Sequence, residues 1–278
     1  MKPALGLAHP ESLSPRAQVL LGRLAGRRWA QEFYLAGAAA LALYLGHRPT
    51  GELDLMSAAN RLTGPERRDL LQELLALDDV AGAAAGPGAE EEERSEGEDR
   101  SDGDDRSEVE TARDGYLFVR TGGVGLRFFY YPYPLVDPAA ELGGLAVASA
   151  VDLGLMKLAA VISRGSRRDF VDLYLLCREL AGRFTIAGSS AVDERHSPEG
   201  SSGRSPLGEL LQRSAAKFGH VRDFPLQALK GLADLGETLG EPMPRLALPL
   251  AWDEVEGWLH REVREAGRAL VGLRPGGA

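Results

Sequence analysis

Glu52 and Asp54 are separated by one leucine. On a strand, residues two apart face the same way. The segment Glu52-Leu53-Asp54-Leu55-Met56 would therefore present two carboxylates together and turn Leu53 and Leu55 into a core. Two carboxylates a few ångströms apart repel unless a cation lies between them. Mg²⁺ suits such a pair, because it binds through one or two carboxylates and takes its other ligands from water and substrate phosphates. Further along, Lys157, Arg164 and Arg168 are followed by Asp169 and Asp172. Lys157 and Arg164 carry the charge needed to neutralise a triphosphate during group transfer. Asp169 and Asp172 are three apart and share a helix face. They would hold those bases in place, act as general base on an attacking hydroxyl, or form an ion-pair network that clamps two helices.

These groups need elements to position them. Phe33 to Ala36 is short, aromatic and apolar, which suits a buried strand. Gly37 can turn with positive φ. Ala38 to Leu45 is made of strong helix formers, Gly46 can close that helix, and Pro49 cannot continue it. Backbone N–H groups following Gly37 would lie at a helix N-terminus, where phosphates bind, and the small Ala38 and Ala39 would allow close approach. Ser14-Pro15 starts an earlier helix running to about Gly26. Thr63 and Glu66 form a capping box for a later one. Tyr116 to Arg120 and Val124 to Tyr131 read as strands joined at Gly122-Gly123; Arg127 is the only charged residue in the second. The aromatic run Phe128 to Tyr133 reads as core. Ser149 opens a helix through Ile162 that is apolar on nearly all sides, so the Lys157 ammonium must be paired or reach a polar cleft. Ser166 caps the helix after it. Helices are also expected at Leu207 to Phe218, Pro225 to Leu239 and Trp252 to Leu270, with Glu241 to Arg245 a rigid connector and Trp252 and Trp258 packing the last helix down.

The order strand, small-residue turn, short helix and acid-x-acid strand resembles the nucleotidyltransferase (polymerase-β-like) superfamily. Leu35 to Leu43, Gly46-His47-Arg48 and Glu52-Leu53-Asp54 are more closely similar to the abortive-infection nucleotidyltransferase toxins of the AbiEii/AbiGii type. Lys157, Arg164 and Arg168-Asp169-Phe170-Val171-Asp172-Leu173-Tyr174 resemble that family's second set of motifs. The family's second Gly and its hydroxyl residue are Ala38 and Ala39 here, its first Asp is Glu52, and the third carboxylate often found on the Val124 to Tyr131 strand is missing. The resemblance implies an α/β (α+β) fold: a small mixed sheet with flanking helices over residues 1–145, then a mostly helical region over 146–278. It implies Mg²⁺ on Glu52 and Asp54, and an NTP held by Gly37, Ala38, Ala39, Arg48, Arg164 and Arg168. Lys157, Asp169 and Asp172 would be catalytic. A nucleotide would pass to an RNA or protein acceptor, and a cognate antitoxin would be the partner. A degenerate relative that binds only nucleotide or a protein is the second reading.

Composition adds limits. The formal charge of −9 is misleading: residues 90 to 110 hold twelve acids and three bases, so they account for the whole imbalance. The remaining chain is neutral, and acidity does not exclude a nucleic-acid partner. Residues 81–114 lack the apolar content to offset chain entropy and read as a disordered acidic insertion; 185–206 reads as a second loop, with His196 exposed in it. The single Cys177 lies in an apolar helical run and excludes an intrachain disulfide, which fits a reducing, cytoplasmic setting. No apolar run follows Met1-Lys2-Pro3, so no signal peptide is expected, and no segment is long enough to span a membrane.

Overall fold

The computed structural model describes residues 7–84, 108–187, 205–238 and 240–272. Its centre is β2 (Glu52–Ser57), where Leu53 and Leu55 are fully buried and Glu52 and Asp54 face the other way. Antiparallel to it runs β1 (Tyr34–Ala36), and parallel to it runs β5 (Val124–Tyr130). Beyond β5 come β4 (Tyr116–Thr121) and β3 (Glu108–Arg113), both antiparallel. On the far side of β1 lie β7 (Leu145–Val147), parallel to it, and β6 (Ala140–Leu142). The seven strands make one mixed sheet in the order β3-β4-β5-β2-β1-β7-β6. With eight α-helices among the described residues, the fold is mixed α/β.

Helix starts follow their caps. Ser14 Oγ accepts from the Ala17 N–H at 3.2 Å to open α1 (Pro15–Ala25), which packs against β5. The helix α2 (Gly37–Leu45) begins without a side-chain cap and ends at Gly46, φ 60°. At α3 (Gly64–Ala84), Thr63 Oγ1 donates to Glu66 Oε2 at 2.5 Å. The apolar α4 (Ala150–Ser163) opens on Ser149 and packs against α2 and α5 (Arg167–Ala187), as well as α6 (Pro206–Phe218) and α7 (Phe224–Ala233). Its buried Asp152 is paired with Lys217 of α6 at 2.8 Å. The last helix, α8 (Trp252–Gly272), lies on α5, with Trp252 edge-on to Phe170 and Trp258 edge-on to Tyr174.

Several expectations need correction. Residues 108–113, taken as part of a disordered insertion, form β3, while α3 extends to Ala84; the remaining acidic residues, 85–107, lie outside the described residues. The hairpin β6–β7, with Gly143 and Gly144 at positive φ, was not anticipated, and the expected division at residue 145 falls on the first residue of β7. The helix expected to reach Leu239 stops at Ala233, where the Asp234 N–H turns back onto Lys230 and Gly231. The expected loop 185–206 is shortened by α5, which continues to Ala187; residues 188–204, His196 included, lie outside the described residues. Of the aromatic run, Phe128 is core against Trp29 and Phe33, but Tyr130 is exposed.

Candidate functional site

The antiparallel register of β1 and β2 sets Ala36 opposite Asp54. The next residue, Gly37, therefore bends directly against that carboxylate. A Cβ at Gly37 would lie 2.2 Å from Asp54 Oδ2, and φ there is +63°, so glycine is required by both space and backbone. Glu52 is half-exposed on the same face. Across the parallel β2–β5 register, Arg127 stands opposite Asp54. Its Nη2 donates to Glu52 Oε1 at 2.7 Å, and its Nη1 reaches Asp54 Oδ1 at 3.5 Å. The guanidinium also lies over the Phe118 ring, 5.0 Å from the centroid. Burial raises the Asp54 carboxyl above its ordinary range, and the neighbouring Glu52 adds to this, against the pull of Arg127 and Lys157.

The second group forms where α4, α5 and the segment after α2 meet. Lys157 Nζ is paired with Asp169 Oδ1 at 3.0 Å and Asp172 Oδ2 at 2.7 Å. Arg48 donates from Nε and Nη2 to both oxygens of Asp172, each at 3.1 Å, and His47 Nε2 meets Asp172 Oδ1 at 2.9 Å. Arg164 takes Asp169 bidentately at 2.7 and 2.8 Å, and Ser166 Oγ adds a bond at 2.7 Å. Both aspartates are fully buried. Burial would raise Asp169, but Arg164, Lys157 and Ser166 outweigh it and bring it down to about 2. Burial also opposes ionisation of Asp172, and Lys157, His47 and Arg48 still hold it well below the carboxylate range.

Of the three roles open to Asp169 and Asp172, the geometry favours holding the bases. A carboxylate with every oxygen engaged by cations and a depressed pKa is a poor proton acceptor. The inner edges of Arg48 and Arg164 are committed, but each keeps a further N–H edge, and Lys157 keeps one of its three donors. The Arg164 side chain is 63% exposed. His47 went unassigned by sequence reasoning. It is buried, and its Nδ1 has no hydrogen-bond partner among the described residues. The signal was its place between Gly46 and Arg48, in a segment that closes onto the helix of Asp172.

The two groups border a cleft of about 780 Å³, lined by Ala38, Arg48, Glu52, Arg168, Met243 and Arg245, among others. Neither Arg168 nor Arg245 forms an ion pair among the described residues. Ala39 has a buried side chain, so only its backbone is available to a ligand. Lys157 and Asp54 act on each other electrostatically, as do Arg164 and Asp54, so the acid pair and the cation cluster share one field. Among the described residues no group of three or more His, Cys, Asp or Glu is arranged for a metal. The pair Glu52 and Asp54 fits Mg²⁺ in the mode where phosphates supply the remaining ligands: Arg127 engages one oxygen of each acid, and a desolvated Asp54 beside a second acid gains from a further cation.

Residues 19–201 match the family model described as nucleotidyl transferase AbiEii toxin, Type IV TA system. The chain belongs to this family. The matched span holds every site residue named above except Met243 and Arg245 of the connector. An uncharacterized protein of Aquifex aeolicus (strain VF5), aq_aa25, is 26% identical over 151 residues, spanning 53% of this chain and 59% of that relative. The crystal structure of JHP933 from Helicobacter pylori covers 95% of this chain and 100% of its own, at 14% identity and a TM-score of 0.38. A second H. pylori structure gives the same identity and TM-score over 90% and 97%. Both overlays are loose, and the family assignment rests on the sequence match alone. Among the described residues no helix is long and apolar enough to cross a membrane.

Proposed function

We propose that this AbiEii-family chain transfers a nucleotide from an NTP to an RNA or protein acceptor, and acts as the toxin beside a cognate antitoxin. What supports the reading is one juxtaposition: an acid pair against a glycine bend at a helix N-terminus, in the field of Lys157 and Arg164. Free backbone N–H groups of the first turn, at Gly37, Ala38 and Ala39, bind phosphate oxygens. Lys157, Arg48 and Arg164 turn their remaining donors toward the same phosphates, and Asp169 and Asp172 fix those three cations in place. Arg168, which forms no ion pair among the described residues, adds charge from the cleft wall. Glu52 and Asp54 are the residues that would hold Mg²⁺, which when bound supplies further charge neutralisation at the phosphates.

The acceptor hydroxyl oxygen forms a bond to the α-phosphorus, the bond from that phosphorus to the α–β bridging oxygen breaks, and pyrophosphate leaves. The hydroxyl proton passes to solvent. The antitoxin follows from the family description alone and is a matter of association. Labelled NTP incubated with bulk RNA and bulk protein tests the activity. Asp54→Ala should lower label transfer by roughly a hundredfold or more, and transfer that persists unchanged in the variant would overturn the assignment of the acids.

A further inference from the structure

Arg127 occupies an unusual position. It sits on β5 directly opposite Asp54, bridges Glu52 and Asp54, and is backed by Phe118, its register neighbour on β4. The row Asp54–Arg127–Phe118 thus runs across three strands on the carboxylate face. A third acid at residue 127 would set three negative charges side by side before any metal bound. The guanidinium reverses that balance: two carboxylates and one fixed cation leave a single negative charge.

We propose that Arg127 is a built-in counter-ion and positioning residue that takes the place of one metal ion, so that the acid pair accepts a single divalent cation and accepts it weakly until phosphates arrive with it. This rests on the reading of Glu52 and Asp54 as the metal-holding pair. The contacts carry the argument. Arg127 holds one oxygen of each acid, which fixes their spacing without any metal. Its own charge repels a cation approaching the same oxygens, and its stacking on Phe118 keeps it from swinging clear. The metal is therefore retained only when a triphosphate adds ligands and negative charge.

Mn²⁺ titration of the full chain, read by calorimetry and by the EPR signal of free Mn²⁺, tests this without reference to turnover. The wild type should bind, weakly, no more than one Mn²⁺ that Asp54→Asn removes; Mn²⁺ held by the acidic residues 90–110 is the same in every variant and is subtracted. Arg127→Gln should tighten Mn²⁺ binding by roughly tenfold or more, and Arg127→Lys, which keeps the charge, should stay near wild type. Adding Asp54→Asn to Arg127→Gln should abolish the gain. Two Asp54-dependent Mn²⁺ per wild-type chain, or equal affinities in the Gln and Lys variants and the wild type, would overturn the role of Arg127 while leaving the acid pair as the metal site if Asp54→Asn alone still weakens binding. Absence of any Asp54-dependent Mn²⁺ binding in wild type and Arg127→Gln would overturn the reading of the acid pair and this inference with it. Thermal melts of each variant separate loss of fold from loss of charge: a cooperative melt near wild type with unchanged Mn²⁺ affinity for Arg127→Gln counts against the proposal.

Discussion

Gly37 is the residue where backbone and chemistry leave least freedom. Gly37→Ala must place a methyl where Asp54 Oδ2 now lies and hold φ at +63°. The backbone term alone costs about 1–2 kcal/mol, and the clash pushes the carboxylate off its position. The variant should fold with a lowered denaturation midpoint and lose label transfer to about the extent of Asp54→Ala; activity near wild type would show that the bend does not position the acid. Asp172 is the opposite case, a residue whose loss acts through its partners. Asp172→Asn leaves Lys157 and Arg48 facing each other in a buried site without their shared anion. Removing one side of a buried ion cluster costs about 3–5 kcal/mol, measurable by urea unfolding. A shift below about 1 kcal/mol would mean that solvent reaches the cluster and compensates.

At the scale of elements, the cation cluster adds an ionic tie between α4 and α5 to their apolar packing, and Asp169 bonds both Lys157 and Arg164 within it. Its folded carboxyl is held down to about 2, against an ordinary value of 3.8. A depressed acid stabilises the fold fully above its unfolded pKa and ceases to do so as pH falls through the folded one. The contribution of about 2 kcal/mol should therefore be intact above about pH 4 and disappear toward pH 2. Asp169→Asn should flatten the stability profile over that window, and an unchanged acid limb in the variant would contradict the assignment. These elements were legible in the sequence where local chemistry dictates them. Ser14 and Ser149 mark helix starts through side-chain caps, Thr63 and Ser166 precede α3 and α5 and donate to the acid three residues on, and Glu52-Leu53-Asp54-Leu55 marks a half-buried strand by alternation. Three features escaped for physical reasons. The edge strand β3 is exposed along its whole length, and charged side chains on an edge read as solvated coil. The three-residue strands β6 and β7 are too short to show a period. The engagement of His47 with Asp172 spans 125 positions, a distance that no local pattern encodes.

At the scale of the whole molecule, the cleft is built from three distant parts of the chain. They are the start of α2 and of the central strand β2, with Ala38, Arg48 and Glu52; the start of α5, with Ser166 and Arg168; and the connector Glu241 to Arg245. The connector is tied down by the α5 start, where the Arg167 N–H donates to Glu241 Oε2 at 2.6 Å and the Arg167 guanidinium donates to Thr238 O while stacking over Trp252. That tie explains why residues beyond the matched span 19–201 border the site at all. Arg245 is exposed and unpaired among the described residues, so its charge is free to act on an anion entering the cleft. Arg245→Ala should raise KM for the nucleotide about fivefold with little change in kcat, because one exposed charge near a phosphate is worth about 1 kcal/mol in water. The difference should shrink as salt is raised toward molar concentration, where charges are screened within about 3 Å. Steady-state transfer at low and high ionic strength checks both halves of the expectation. A fall in kcat at constant KM would instead place Arg245 on the reacting groups, and no change at low salt would remove the connector from the nucleotide's path.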